Sequence, residues 1–170
     1  MTPAIKPRPT ARLLPFDPQG RLLLVHMHDE NVANADGEVL SDPYWVTVGG
    51  AIDAGETTLE AAWRELEEET GLNRDTARIG PPVWYAEHVL TFYGRQSLLQ
   101  ETFFLAEAFT TELDHSGFET TEKAAISHMK WWPVDDLLAS SQQVFPRGLK
   151  AELPALLANG PPSGIRTIRA

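Results

Sequence analysis

The stretch that decides the fold is GGAIDAGETTLEAAWRELEEETGL, residues 49–72. Its second half has the spacing of an amphipathic helix, because Leu59, Ala62, Trp63, Leu66 and Thr70 fall at positions i, i+3, i+4, i+7 and i+11. This spacing predicts one helix whose apolar stripe packs against the rest of the protein.

Both ends of this helix are marked in the sequence. Thr57 is followed three residues later by Glu60, a capping-box pattern in which each side chain bonds to the other residue's backbone amide. Gly71 is typical of a helix C-terminus, because glycine readily adopts the left-handed conformation found there. The helix is therefore expected to lie between these two signals.

Glu65, Glu67, Glu68 and Glu69 crowd like charges at the end of this helix, where each close pair repels by roughly 0.2–0.5 kcal/mol. At about 100° per residue, Glu67 projects onto one flank with Glu60, and the other three glutamates share the opposite flank. Three carboxylates at this spacing suit an oxygen-seeking cation such as Mg²⁺. The alternative is an acidic, solvated helix surface.

The wider spacing resembles the signature of the Nudix hydrolase family, G-x5-E-x7-R-E-U-x-E-E-x-G-U, in which U is aliphatic. Every specified position of this 23-residue motif matches, and the chance of that is on the order of one in a billion per starting position. The matching residues are Gly50, Glu56, Arg64, Glu65, Leu66, Glu68, Glu69, Gly71 and Leu72. The resemblance implies the Nudix fold, an α/β class α/β/α sandwich around a mixed β-sheet.

The resemblance also implies hydrolysis of a diphosphate linkage in a nucleoside diphosphate-linked compound or a nucleoside triphosphate, with Mg²⁺ or Mn²⁺ as cofactor. It implies that Glu65, Glu68 and Glu69 bind the cation, together with the backbone carbonyl of Gly50. The other two functional residues that it implies, Glu56 and Arg64, form a supporting pair. A residue that orients a metal ligand can matter nearly as much as the ligand itself.

The general base has several candidates. In some Nudix enzymes the base lies in the helix, and here that would be Glu65. In others it is a glutamate on a later loop, and the segment TELDHSGFETTEK offers Glu112, Glu119 and Glu122. We favour Glu122, because it lies nearest the strand that is predicted to follow.

The rest of the chain is predicted to form one domain over residues 10–158, with a flexible arm over residues 1–9 and a tail over residues 159–170. The runs TARLLPF, RLLLVHMH, YWVTVGGAI, VWYAEHVLTFY, SLLQETFFLAEAF and AAISHMKWWPV have strand composition, and DDLLAS and PRGLKAELPALLA read as helices. The fourth and fifth runs, joined by GRQ, are predicted to form a long antiparallel pair. The polar segment 29–43 reads as a long loop, either functional or a tolerated insertion.

Composition limits the possible partners. The formal net charge is −10, which disfavours long nucleic acids and anionic membranes, since these are bound through lysine and arginine. The absence of cysteine excludes thiolate chemistry and is consistent with a reducing cytoplasm. No run of the sequence has the roughly 18 apolar residues needed to span a bilayer. We expect a cytoplasmic monomer or homodimer that acts on a small nucleotide-type substrate.

Several residues outside the motif are weaker candidates, each with a more ordinary alternative role. The histidines read as packing or surface residues, the aromatic residues as base-stacking or core residues, and the cations as phosphate contacts or surface charges. These residues are His26, His28, His88, His115 and His128; Trp84, Tyr85, Phe92 and Tyr93; and Arg95, Arg147 and Lys150.

The substrate is not defined by the sequence. Pro81, Pro82 and Tyr85 lie nearer to the motif than the subfamily patterns for ADP-ribose and dinucleoside polyphosphate enzymes require. Nucleoside triphosphates, ADP-ribose-like compounds and dinucleoside polyphosphates therefore all stay open. One alternative to this hydrolase is a catalytically silent Nudix-fold module that binds nucleotides. A second is an isomerase of isopentenyl diphosphate, but relatives with that activity use a catalytic cysteine, which this chain lacks. A third is an RNA-decapping enzyme, which the acidic net charge disfavours.

Overall fold

The computed structural model describes residues 4–29, 31–36, 38–39, 42–114 and 126–170. Its strands and helices are, in chain order, β1 (Lys6–Phe16), β2 (Leu22–Met27), β3 (Val32–Ala33), β4 (Tyr44–Val46), β5 (Val48–Ala51), α1 (Thr58–Thr70), β6 (Ala77–Phe92), β7 (Arg95–Ala108), β8 (Ile126–Trp132), α2 (Val134–Ala139), β9 (Val144–Phe145), α3 (Leu149–Asn159) and β10 (Arg166–Thr167).

The strands form a mixed sheet in the order β10-β6-β7-β1-β2-β4-β9, with β3 paired to β6, β5 to β1 and β8 to β2. The central pair, β1 and β7, is parallel from Lys6 opposite Ser97 to Phe16 opposite Glu107. Strands β6 and β7 form the long antiparallel hairpin predicted from the sequence. Tyr93 and Gly94 turn this hairpin with φ values of 49° and 80°, the backbone conformation that a two-residue hairpin loop requires.

Apolar side chains cover both faces of the sheet, which explains the near-continuous apolar runs in the central strands. Along β1, Leu13 belongs to the core beneath α1 and Leu14 to the core beneath α3. Phe103 and Phe104 divide between the same two cores on β7. The mixed sheet with helices on both faces is the α/β sandwich expected from the sequence.

Helix α1 begins and ends at its predicted signals. The side chain of Thr57 accepts a hydrogen bond from the Glu60 amide, and the Glu60 carboxylate accepts one from the Thr57 amide. Gly71 has a φ of 77°, and its amide donates to the carbonyl of Glu67 at 2.9 Å. Glycine is needed there, since a left-handed φ is strained for other residues.

Helix α1 differs from the prediction in its rotation about its own axis. With Leu59 set at zero on the helical projection, the six buried residues centre near 290° rather than on the predicted stripe. Leu59 is accordingly 47% exposed, whereas Ala61 is fully buried. The small side chains of Ala61 and Ala62 face the sheet together with Leu66, so the buried face is shifted toward the flank of the glutamates.

The two chain ends differ from their expected forms. Residues 6–9, expected within a flexible arm, belong to β1 and extend its pairing with β7. Within the expected tail, β10 pairs with β6 in parallel, and Ile168 is buried in the core beneath α3. Strand pairing holds these segments, which their proline- and glycine-rich composition does not indicate.

The segment 29–43, predicted as a loop, contains a short strand. Val32 and Ala33 pair with the end of β6, opposite Phe92 and Thr91, and both are buried. In the part of the chain that the structure describes, no helix has the length and apolar character that a bilayer-spanning helix needs.

Candidate active site

Helix α1 brings two of its glutamates into the interior. Glu65 is 6% exposed and Glu69 is 8% exposed, whereas Glu67 is exposed to solvent. Glu68 is intermediate, with 45% of its side chain exposed. The helical projection separated Glu67 from the other three correctly, but two of those three are more deeply buried than a position on a flank suggested.

Arg64 links the residues of the motif into one hydrogen-bonded network. Its guanidinium binds both carboxylate oxygens of Glu56, at 2.7 and 2.8 Å. It also donates to Glu65 at 2.9 Å, to Glu68 at 3.3 Å and to the carbonyl of Ala51 at 3.0 Å. These hydrogen bonds lower the pKa of Glu56 to about 2 and raise the pKa of Arg64. Arg64 therefore fixes the positions of three carboxylates at once.

The end of β5 lies directly against the same carboxylates. The amide of Gly49 donates to Oε2 of Glu69 at 2.9 Å. A Cβ atom on Gly50 would lie 2.5 Å from Oε1 of Glu65, and one on Gly49 would overlap the carbonyl of Ala11. The two glycines therefore let the backbone approach both the carboxylates and the neighbouring strand β1.

The donors at this site are of the type that Mg²⁺ and Mn²⁺ prefer, since carboxylate and carbonyl oxygens are hard ligands. Within the described residues, no three acidic or histidine side chains are already gathered in a metal-binding cluster. Glu65 and Glu68 instead bind Arg64, and Glu69 binds the Gly49 amide. Burial raises the pKa of Glu65 although Arg64 opposes this, so a nearby cation would favour its charged form.

A cleft of about 630 Å³ opens above these carboxylates. Its lining includes acidic side chains, arginines, and aromatic and aliphatic side chains. These residues are Glu65, Glu68 and Glu69; Arg8, Arg12 and Arg64; and Val32, Tyr44, Leu90, Phe92, Tyr93 and Phe145. A cleft with metal ligands, cations and apolar surface suits a ligand that has both phosphates and a ring.

The cations predicted as phosphate contacts are not those in the cleft. Arg147 lies over the ring of Phe145, 5.5 Å from its centroid, and Lys150 donates to the carbonyl of Ser140 at 2.6 Å. Neither they nor Arg95 line the cleft. Its arginines come instead from β1 and α1, and an isolated arginine on a strand has no sequence spacing that would reveal its role.

Two of the four aromatic candidates lie in the cleft. Phe92 and Tyr93 line it, whereas Trp84 is 1% exposed in the core beneath α3. The hydroxyl of Tyr85 donates to Glu87 at 2.6 Å. Tyr44 and Phe145 also line the cleft but were not predicted. Sequence alternation assigns a side chain to a face of the sheet, but not to one end of that face.

The histidines divide in the same way. His26 and His128 lie opposite each other on β2 and β8, with ring centroids 4.7 Å apart, and both contact the ring of Trp45. His28 is exposed. His88 lines the cleft, and its Nε2 lies 2.9 Å from Oε1 of Glu101. His115 lies outside the described residues.

The candidates for the general base are tested only in part. Glu122 and Glu119 lie outside the described residues. Glu112 is exposed, its amide donates to the hydroxyl of Thr110, and it does not line the cleft. Among the four named glutamates, the structure therefore places Glu65 in the cleft, and the identity of the base stays a prediction.

Two functional-site residues missed by the sequence reasoning are Arg12 and Glu101. Their side chains form an ion pair of 2.6 Å between β1 and β7, in which Glu101 is buried and Arg12 is partly buried, and both residues line the cleft. Burial raises the pKa of Glu101, but Arg12 and His88 outweigh it and hold the pKa at about 2. The signal available in the sequence was a charged residue inside each of the strand runs TARLLPF and SLLQETFFLAEAF, close to the apolar pairs Leu13–Leu14 and Phe103–Phe104.

Comparison with known proteins assigns the family. Residues 6–153 match the NUDIX domain. The RNA pyrophosphohydrolase of Wolbachia pipientis subsp. Culex pipiens is 26% identical over 140 residues, which are 79% of each chain. The RNA pyrophosphohydrolase of Erythrobacter litoralis is 37% identical over 101 residues, which are 55% of this chain and 61% of that protein.

Solved structures show the same fold. The crystal structure of the MutT protein from Methanosarcina mazei superposes with a TM-score of 0.64 at 15% identity, covering 92% of this chain and 97% of that one. An Ap4A hydrolase of C. elegans gives a TM-score of 0.60 at 18% identity, covering 89% and 98%. The chain therefore belongs to the Nudix hydrolase family and hydrolyses a pyrophosphate bond, and enzymes of this family act on small nucleotide substrates and generally need a divalent metal ion.

Proposed function

We propose that this protein is a Mg²⁺-dependent hydrolase of a phosphoanhydride bond in a small nucleotide. The proposed cation ligands are the carboxylates of Glu65, Glu68 and Glu69 and the carbonyl of Gly50. The observation that carries this proposal is the meeting of two nearly buried glutamates with a glycine backbone at the bottom of the cleft. Buried carboxylates are costly unless they are paired or bind a metal.

When bound, Mg²⁺ would neutralise phosphate oxygens and lower the pKa of a water molecule. The chain's own residues supply orientation and proton transfer. Arg64 holds Glu56, Glu65 and Glu68 in place through its guanidinium. We propose that the proton of the attacking water passes to a glutamate, either Glu65 or Glu122, the second of which lies outside the described residues.

Arg8 is the arginine best placed to bind substrate phosphate. Arg12 is paired with Glu101 and Arg64 with Glu56, whereas no described residue forms an ion pair with Arg8. The Arg8 guanidinium lies 4.8 Å from the centroid of the Phe92 ring and lines the cleft. Burial and the neighbouring Arg12 lower its pKa. A bound phosphate would offset both effects by placing a negative charge within hydrogen-bonding distance of the guanidinium.

The apolar part of the cleft supports a nucleobase subsite. Tyr44 and Phe145 pack edge to face, with ring centroids 5.4 Å apart, and Phe92 lines the same cleft. Aromatic side chains stabilise a base by stacking, with little dependence on its identity. Nucleoside triphosphates, ADP-ribose-like compounds and dinucleoside polyphosphates therefore stay in the proposed substrate class.

A second candidate is the triphosphorylated 5′ end of RNA, because four curated relatives are named RNA pyrophosphohydrolase. The formal net charge of −10 gives little electrostatic attraction to a long RNA. A short RNA end needs only the contacts of a nucleotide and enters the substrate class on that basis.

The test is a panel of nucleoside triphosphates, ADP-ribose, a dinucleoside tetraphosphate and a short 5′-triphosphorylated RNA, each incubated with Mg²⁺ and analysed for products. We expect hydrolysis of at least one compound, with Glu69→Gln removing most of the turnover. Glu67→Gln is the matched control, because Glu67 is exposed on the flank of α1 opposite the proposed ligands. The activity of this variant should stay close to that of the wild type.

Two results would contradict this proposal. Tight binding of one compound without hydrolysis above the Glu69→Gln background would favour a binding module. A loss of activity in Glu67→Gln as large as that in Glu69→Gln would show that the ligand face of α1 is assigned incorrectly. Equal folding of the variants is checked by circular dichroism and thermal unfolding.

A further inference from the structure

We propose that Arg12, held by Glu101, is a positioning residue that aligns the Gly49–Gly50 backbone with the Glu69 carboxylate. The inference rests on the proposed function, because it takes Gly50 and Glu69 as cation ligands. It concerns a connection between four elements, β7, β1, β5 and α1, of which only β5 and α1 carry residues of the family motif.

The first link joins β7 to β1. Nε of Arg12 donates to Oε2 of Glu101 at 2.6 Å, and the second carboxylate oxygen lies 2.9 Å from Nε2 of His88. Glu101 is 5% exposed. With both oxygens engaged and water largely excluded, the Glu101 carboxylate holds the Arg12 guanidinium in one orientation.

The second link joins β1 to the approach to β5. Nη1 of Arg12 donates to the carbonyls of Thr47 and Gly49, both at 3.2 Å. Thr47 lies between β4, which pairs with β2, and β5, which pairs with β1. The guanidinium therefore supplies donors to the backbone where the chain passes from one strand partner to another, and it fixes the carbonyls on either side of Val48.

The third link reaches helix α1. The amide of Gly49 donates to Oε2 of Glu69 at 2.9 Å, and the next residue, Gly50, lies against the carboxylate of Glu65. A shift of the backbone at Gly49 would move two groups at once: the amide that donates to Glu69 and the carbonyl of Gly50. The side chain of Arg12 thus acts on two proposed ligands without touching either.

The shape of arginine is what this role requires. Nε and Nη1 point from one rigid plane toward Glu101 and toward the two carbonyls, whereas the ammonium group of lysine is a point charge on a flexible chain. Arg12→Lys keeps the positive charge but cannot reproduce the fixed set of three hydrogen bonds. The substitution therefore separates geometry from charge.

Arg12 also lines the cleft, so direct contact with substrate phosphate is the competing role. The two roles predict different measurements. A positioning residue affects cation binding in the absence of nucleotide and lowers kcat. A phosphate contact leaves cation binding unchanged and raises KM for the nucleotide.

The experiment measures Mn²⁺ binding to the nucleotide-free protein by electron paramagnetic resonance, and kcat and KM with the best substrate of the panel. For Arg12→Lys we expect Mn²⁺ binding 10–100-fold weaker and a similar fall in kcat, as for other residues that orient metal ligands. KM should stay within about twofold of the wild-type value. The matched control is Glu107→Gln, which removes an exposed 2.7 Å ion pair between Glu107 on β7 and Arg78 on β6, away from the cleft. This variant should bind Mn²⁺ like the wild type.

A second variant guards against misfolding caused by an unpaired buried charge. The double substitution Arg12→Met with Glu101→Met removes both charges at similar volume, and its fold is checked by circular dichroism. It should also bind Mn²⁺ at least tenfold more weakly. If either folded variant binds Mn²⁺ with wild-type affinity, the inference about Arg12 is overturned, whereas the proposed ligand set is not. Failure of the wild type itself to bind Mn²⁺ would overturn the proposed ligand set as well.

Discussion

Gly50→Ala tests the contact between the backbone and the proposed metal ligands. The φ of Gly50 does not require glycine, so alanine is compatible with the backbone there. The added Cβ would nevertheless lie 2.5 Å from Oε1, 2.7 Å from Cδ and 2.9 Å from Oε2 of Glu65. Ordinary contact needs about 3.5 Å, so the Glu65 carboxylate must move by about 1 Å. That movement also stretches its 2.9 Å hydrogen bond from Arg64.

A displacement of about 1 Å at a reacting centre can reduce a rate by about 100-fold, so we expect kcat to fall by roughly 10–100-fold. The melting temperature should change little, because alanine at a compatible position stabilises by roughly 0.4–1 kcal/mol and a strained carboxylate rotamer costs about as much. The assay is steady-state hydrolysis over a Mg²⁺ titration, with thermal unfolding in parallel.

The control is Gly164→Ala, since a Cβ atom on Gly164 would have no neighbour within 4 Å. It should leave activity unchanged and raise the unfolding free energy by at most about 0.4–1 kcal/mol, the general effect of replacing glycine by alanine. If Gly50→Ala keeps the wild-type kcat at every Mg²⁺ concentration, the position of the Glu65 carboxylate does not matter for turnover. The proposed role of Glu65 as a ligand would then be refuted.

Three further predictions concern stability and substrate binding. Leu66→Ala should lower the unfolding free energy by about 2–5 kcal/mol because Leu66 is fully buried, whereas Leu59→Ala should change it little because Leu59 is 47% exposed. Urea denaturation measures both, and equal losses would contradict the observed rotation of α1. Burial opposes the ionisation of Glu101, but Arg12 holds the pKa of this carboxyl at about 2, below the ordinary 4.5. The charge of Glu101 therefore stabilises the fold fully above about pH 4.5, and this stabilisation is lost as the pH falls toward 2. The stability difference between the wild type and Glu101→Gln should therefore shrink between pH 6 and pH 3, and a constant difference would contradict this. Arg8→Gln should raise KM about tenfold or more without changing kcat in steady-state kinetics, and an unchanged KM would remove Arg8 from the substrate site.

Local patterns determined the parts of the fold that depend on neighbouring residues. The cap at Thr57, the stop at Gly71 and the long β6–β7 hairpin were all readable because each depends on a few consecutive side chains and their backbone preferences. The motif spacing likewise assigned the family and separated Glu67 from the other glutamates, since helical periodicity fixes the angles between residues of one helix.

The helical pattern did not determine which way α1 faces. Its apolar residues favoured a stripe centred on Leu59, yet the helix turns Ala61, Ala62 and the glutamate flank inward. The rotation depends on the shape of the sheet surface that receives the helix, and small side chains allow a closer approach than a count of apolar residues suggests. Burial of Glu65 and Glu69 follows from that rotation.

The sequence by itself determined the family, the helix that carries the glutamates, and the strand pair that follows this helix in the chain. Only the tertiary structure decided that Arg8, Arg12, His88 and Glu101 meet at the cleft. Arg12 and Glu101 are 89 residues apart in the chain and become neighbours only because β1 and β7 pair in parallel at the centre of the sheet. Short-range preferences carry no record of such a pairing, because it forms through the burial of both sheet faces at once.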